Sequence, residues 1–131
     1  MLYVLNSATL PLAEGKVYLI KAKQLNVQEA SELLKKEKFV SAVGHEATAK
    51  ALSNIFGIEI PYNRVQITLQ PGDKLLSIIL KKRLEEGKIL KTVEELEQVG
   101  YSIWLFEISE YKEPNPVQEV EKFLQTNPGI V

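Results

Sequence analysis

Apolar residues run in short alternating or continuous blocks along this chain, and their spacing predicts its elements. Leu2 to Leu5 is short and β-rich, and Asn6 to Pro11 breaks it with polar and turn-forming residues. Lys16 to Lys23 alternates, with Val17, Leu19 and Lys21 on one face and Tyr18, Ile20 and Ala22 on the other, as in a strand with one buried face. Asn26 then caps a helix. Glu29, three residues on, completes a capping box, Ala30, Leu33 and Leu34 form the apolar stripe, and Glu32 with Lys36 makes an exposed i,i+4 pair. A second helix starts near Gly44 in SAVGHEATAKAL, carries Ala47, Ala51, Leu52, Ile55 and Phe56 on one face, and stops at Gly57.

Further along, Val65 to Leu69 and Leu75 to Leu80 read as two strands joined into a hairpin by the turn Gln70 to Asp73. Lys81 to Lys88 leaves the second of them as a charged segment. Thr92 to Gln98 has the Thr cap and Glu residues of a short helix, and Ser102 to Ile108 is the last strand. Glu113 to Pro116 is a linker signal, after which Asn115 and Pro116 open a final helix with Val117, Val120 and Leu124 on its apolar side. The economical architecture is one α/β domain over 1–112, a mixed β-sheet of about five strands covered by α-helices, with 113–131 as a C-terminal linker and helical extension.

Composition narrows the chemistry. With 131 residues, 45% hydrophobic and 25% charged, the chain can bury a sizeable core without disulfides or a structural metal. The absence of cysteine, together with a single histidine, excludes zinc-finger and thiolate sites and fits a reducing cytoplasm. A carboxylate-bound magnesium stays open. The net charge of -1, from 16 basic and 17 acidic residues, gives no global field for long nucleic acid, so an anionic partner must be held locally. Apolar blocks such as LLSIIL and YSIWLF fall far short of the roughly 20 residues of a membrane span. The N-terminus lacks the basic start of a signal peptide, so a cytoplasmic protein is expected.

His45, the one histidine, sits where the second helix begins. Unpaired N–H groups and the positive end of the helix dipole make that a fitting place for a phosphate, and an imidazole there can serve as proton donor. It can equally be a polar residue at a helix start. Arg83 can clamp a phosphate bidentately, and Glu86 can orient a hydroxyl or the histidine; the bland reading of KKRLEEGK is a solvated charged turn. The loop Asn6 to Thr9 offers donors suited to ribose, base or phosphate, or an ordinary turn. Asn63 and Arg64 offer further donors or simply cover the sheet edge. Tyr18, Tyr62, Tyr101, Trp104, Phe106 and Tyr111 could stack on bases, although those of the last strand suit core packing better.

Taken together, V-G-H-E-A-T at 43–48, N-R-V at 63–65 and R-L-E-E-G-K at 83–88 resemble the viral ring nucleases, the type III anti-CRISPR enzymes with bacterial and prophage relatives. The resemblance runs from about Leu2 to about Ile108 and includes V-L-N-S-A-T. It implies a homodimer that binds cyclic tetra-adenylate at the subunit interface and cuts it, without metal or cofactor, into linear di-adenylates, so switching off type III CRISPR signalling. The family's catalytic histidine, arginine and glutamate fall on His45, Arg83 and Glu86. Its ligand-binding positions fall on Asn6, Thr9, Gly44, Asn63, Arg64 and Lys82. This chain departs from the pattern at Lys82, where relatives often have Gln, at Glu46-Ala47 in place of Asp-Ser, and at Pro11 in place of a second loop Asn.

The reaction so implied is attack of a ribose 2′-hydroxyl on its own 3′-phosphate, with His45 protonating the leaving 5′-oxygen and Arg83 stabilising the phosphoryl charge. With one histidine per protomer, much of the rate must come from in-line positioning. Two rivals remain at this level: a protein that sequesters the cyclic nucleotide without cutting it, and a small nucleic-acid-binding regulator, which balanced charge disfavours.

Overall fold

The computed structural model describes residues 1–82, 90 and 92–111. In chain order the elements are β1 (Leu2–Leu5), β2 (Tyr18–Leu25), α1 (Val27–Lys36), β3 (Phe39–Ser41), α2 (Glu46–Phe56), β4 (Lys74–Leu80), α3 (Val93–Val99) and β5 (Tyr101–Glu110). The strands form one mixed five-stranded sheet in the order β2-β5-β4-β1-β3. β1 lies parallel to both β3 and β4, whereas β5 runs antiparallel to β4 and β2. The α/β class, the mixed sheet and its strand number are those expected.

Local chemistry explains the helices. Asn26 accepts from the Glu29 N–H at 2.8 Å while the Asn26 N–H donates to the Glu29 carboxylate at 3.1 Å, the reciprocal bonds of a capping box. α2 ends on Gly57 at φ +68, a left-handed conformation that costs glycine nothing. Thr92 caps α3 through the Glu95 N–H.

The three helices among the described residues contribute to one side of the sheet. Ala30, Leu34, Ala49, Leu52 and Phe56 pack with Leu2, Val4, Leu25, Leu76, Ile78 and Ile103, and Leu96 joins Ala51 and Leu90 beside Leu80 and Tyr101. The alternate strand residues form a third cluster, in which Leu75, Ile108 and Leu69 meet Leu5, Leu10, Leu12, Tyr18, Ile20, Ile67 and Phe106. Among the described residues, loops rather than helices supply the cover there, and a parallel bridge between Leu12 and Leu69 joins them.

Two expectations are corrected, and one strand, β3, is added. The hairpin of Val65 to Leu69 with Leu75 to Leu80 does not form, because β4 pairs with β5 along its whole length on one side and with β1 over Lys74 to Ser77 on the other. Its run Leu75 to Ile78 is buried on both faces, which makes it a central strand and leaves no edge for 65–69. The Gln70 to Asp73 turn does form, with Gly72 at φ +94, and Asp73 accepts from the Gln70 N–H at 2.8 Å. The second strand is Tyr18–Leu25 rather than Lys16–Lys23; its packed face is that of Tyr18 and Ile20, while Val17 and Leu19 are exposed. The short β3 carried too few residues to register as a period.

Trp104 and Phe106, on one face of β5, stack with ring centroids 6.4 Å apart, and Phe106 and Tyr101 pack against the core clusters. Among the described residues no helix is long and apolar enough to cross a membrane. The expected C-terminal helix after Pro116 and the extension 113–131 lie outside the described residues.

Candidate functional site

Because β4, β1 and β3 are parallel neighbours, their carboxyl ends share one edge of the sheet. Asn6 directly follows β1, Gly44 and His45 lie between β3 and α2, and Lys82 comes two residues after β4. With Thr48, Arg64 and Leu80 these residues line a cavity of about 460 Å³. Clefts at the carboxyl ends of parallel strands are where open α/β sheets bind ligands, since the loops there can vary without disturbing the sheet.

His45 is the N-cap of α2. Its backbone is extended (φ -129, ψ 117), and its Nδ1 accepts from the Thr48 N–H at 3.3 Å and lies 2.8 Å from Thr48 Oγ1. The ring is thereby tied to the first turn of the helix, beside the N–H groups that a helix leaves without internal partners. Glu46, the next residue, is exposed and pairs with Lys50 at 3.5 Å.

Arg64 reaches the cavity through a series of staples on β3. Ser41 Oγ donates to the Pro61 carbonyl at 2.6 Å and accepts from the Val43 N–H at 3.3 Å. The Asn63 side-chain amide donates to the Ser41 carbonyl at 2.7 Å, and the Asn63 N–H donates to the Val43 carbonyl at 2.9 Å. The 61–64 stretch thus runs alongside β3, and the Arg64 side chain crosses Gly44, where a Cβ would meet Arg64 Cγ at 3.3 Å.

On the other side, the loop after β1 is held from below. Buried Ser77 of β4 donates its hydroxyl to the Ser7 carbonyl, and Ser7 Oγ in turn accepts from the Thr9 N–H at 3.2 Å and lies 3.0 Å from Thr9 Oγ1.

The structure therefore brings together Asn6, Gly44, His45, Arg64 and Lys82 of the residues named from sequence. Thr9 and Asn63 do not line the cavity; the first is bonded within its loop and the second anchors the chain that carries Arg64. Arg83 and Glu86 lie outside the described residues. Thr48 and Leu80 were not singled out, and for Thr48 the available signal was its place three residues after a helix-capping histidine.

Chemically, the described lining residues include an arginine, a lysine, a histidine and an asparagine amide, and no carboxylate is among those described residues. Such a set can bind an oxyanion and supply a proton to it. Among the described residues, no group of three His, Cys, Asp or Glu side chains is placed to hold a metal ion.

Fold and cavity together define an open mixed-sheet α/β protein with a cationic pocket at the carboxyl ends of its parallel strands. The chain belongs to the STIV B116-like family, whose model matches residues 2–103. It is 70% identical over 112 residues to protein 26 of Sulfolobus islandicus filamentous virus (isolate Iceland/Hveragerdi), covering 86% of this chain and 95% of that protein. ORF117 of Acidianus two-tailed virus is 37% identical over 106 residues, 79% of this chain and 90% of the relative. The solved structure of B116 of Sulfolobus turreted icosahedral virus superposes with a TM-score of 0.70 at 26% identity, over 81% of this chain and 97% of B116. These three relatives are viral proteins, and the fold of this chain is that of B116.

Proposed function

We propose that this protein is a metal-independent ring nuclease that binds cyclic tetra-adenylate and cleaves it to linear di-adenylates with 2′,3′-cyclic phosphate ends, thereby ending type III CRISPR signalling. The observation that carries this reading is the joining of His45, held at a helix N-terminus, with Arg64, Lys82 and Asn6 around one cavity. Phosphodiester recognition needs fixed cations, and expulsion of an alkoxide needs a proton donor.

In the proposed reaction the 2′-oxygen attacks its adjacent phosphorus, the P–O5′ bond breaks, and His45 gives a proton to O5′. Arg64 and Lys82 bind the phosphate, Arg83 stabilises the transition-state charge, and Glu86 orients His45 or the nucleophile. A ring of four nucleotides exceeds one such cavity. We place it between the cavities of two copies related by a two-fold axis, so that opposite phosphates are cut in equivalent sites. The setting is the cytoplasm of the cell in which the messenger is made.

The test is incubation of stoichiometric protein with cyclic tetra-adenylate in EDTA, with products resolved by chromatography. Linear di-adenylates are expected; an intact ring after many hours refutes the nuclease, and tight binding of that intact ring makes the protein a sequestering one.

A further inference from the structure

The geometry points to Thr48 as a positioning residue that fixes which nitrogen of His45 faces the reaction as a hydrogen donor. This inference rests on the proposed nuclease reading for its kinetic consequence, but not for its structural content. His45 caps α2 through Nδ1, an unusual choice where Ser, Thr, Asp or Asn is the ordinary N-cap. A backbone N–H can only donate. The Thr48 N–H at 3.3 Å therefore requires an unprotonated Nδ1, which places the hydrogen of the neutral ring on Nε2.

The Thr48 hydroxyl, at 2.8 Å and the nearer of the two groups, has no such restriction. It donates to Nδ1 when the ring is neutral and accepts from Nδ1–H when the ring is protonated. Thr48 is 4% exposed, so no bulk water replaces it readily. Nε2 has no hydrogen-bond partner among the described residues.

Two consequences follow. Before proton transfer, Nε2 carries a hydrogen whether the ring is neutral or charged, so His45 donates to the ligand and does not take the 2′-hydroxyl proton. When imidazolium gives Nε2–H to O5′ as P–O5′ breaks and P–O2′ forms, the remaining hydrogen is on Nδ1, where Thr48 Oγ1 already accepts it; the 2′-hydroxyl proton passes to water. A buried acceptor already in place removes reorganisation from that step.

Because the chain has one histidine, a protein labelled with ¹⁵N in histidine reports a single imidazole. In the free protein, at a pH where the ring is neutral, the hydrogen is expected on Nε2; a hydrogen found on Nδ1 overturns the inference. For the kinetic part, Thr48→Val keeps shape and the backbone cap but removes the hydroxyl. Single-turnover cleavage of cyclic tetra-adenylate should fall roughly tenfold or more, while binding of the ring changes by no more than about twofold. Thr48→Ser should restore most of the rate. Thr48→Val cutting as fast as wild type, or Thr48→Ser failing as badly as Thr48→Val, overturns it. Should wild type cut no ring at all, the nuclease reading falls, and the imidazole spectrum still decides which nitrogen Thr48 has set.

Discussion

Gly44 lies beneath the Arg64 side chain so closely that a Cβ built on it would stand 3.3 Å from Arg64 Cγ. The glycine that precedes the single histidine thus provides the clearance over which a cation enters the cavity. Gly44→Ala should force Arg64 aside by a few tenths of an ångström. We expect a stability change within about 1 kcal/mol, typical of an adjustable contact, with several-fold weaker binding of cyclic tetra-adenylate by calorimetry. Arg64→Ala should weaken it roughly tenfold or more, the scale of a lost charge-assisted hydrogen bond. Unchanged affinity in both variants would remove Arg64 from the binding site.

Ser77 offers a test of how the Asn6 loop is held. Its hydroxyl, 1% exposed as a residue, donates to the Ser7 carbonyl at the far side of the parallel pair β1 and β4. Ser77→Ala should cost about 1–3 kcal/mol in urea unfolding, because an acceptor loses its partner. Ring cleavage should fall in the same variant, since Asn6 lines the cavity. A variant as stable and active as wild type would show that the loop needs no such anchor.

The placing of 65–69 can be checked by two substitutions. In a hairpin, Val65 and Leu69 would share a face and suffer alike. Here Val65 is 46% exposed while Leu69 is fully buried. Val65→Lys should change stability by no more than about 0.5 kcal/mol, whereas Leu69→Ala should cost about 2–5 kcal/mol. Equal losses in chemical denaturation would favour the hairpin.

At the start of α1, Asn26→Ala removes one half of the capping box. A loss of about 1 kcal/mol is expected, seen as a lower midpoint in thermal or urea unfolding monitored by circular dichroism. No change in midpoint would mean that tertiary packing of Ala30 and Leu34 alone sets this helix end.

What could be read ahead of the structure was local in cause. The N-caps Asn26 and Thr92, the stop at Gly57 and the turn at Gly72 each depend on bonds within a few residues, and each formed as its residue type dictates. The His45 position followed from the same short-range logic. Strand pairing was different. Val65 to Leu69 has an apolar content like that of a strand, but whether a segment finds a sheet edge depends on what else occupies it. Asn63 likewise offers a ligand donor as a residue type, and only the proximity of the Ser41 carbonyl, 22 positions earlier, shows that its amide is engaged in the fold.

The sequence by itself determined helices α1, α2 and α3, the α/β class and the place of the one histidine, because propensity, capping and hydrophobic period act within one or two turns of chain. Tertiary structure alone decided that β4 is central, that β1, β3 and β4 end together, and that Gly44, His45, Thr48, Arg64 and Lys82 meet around one cavity. Those relations depend on contacts between distant segments, whose register is set by burial of both sheet faces at once.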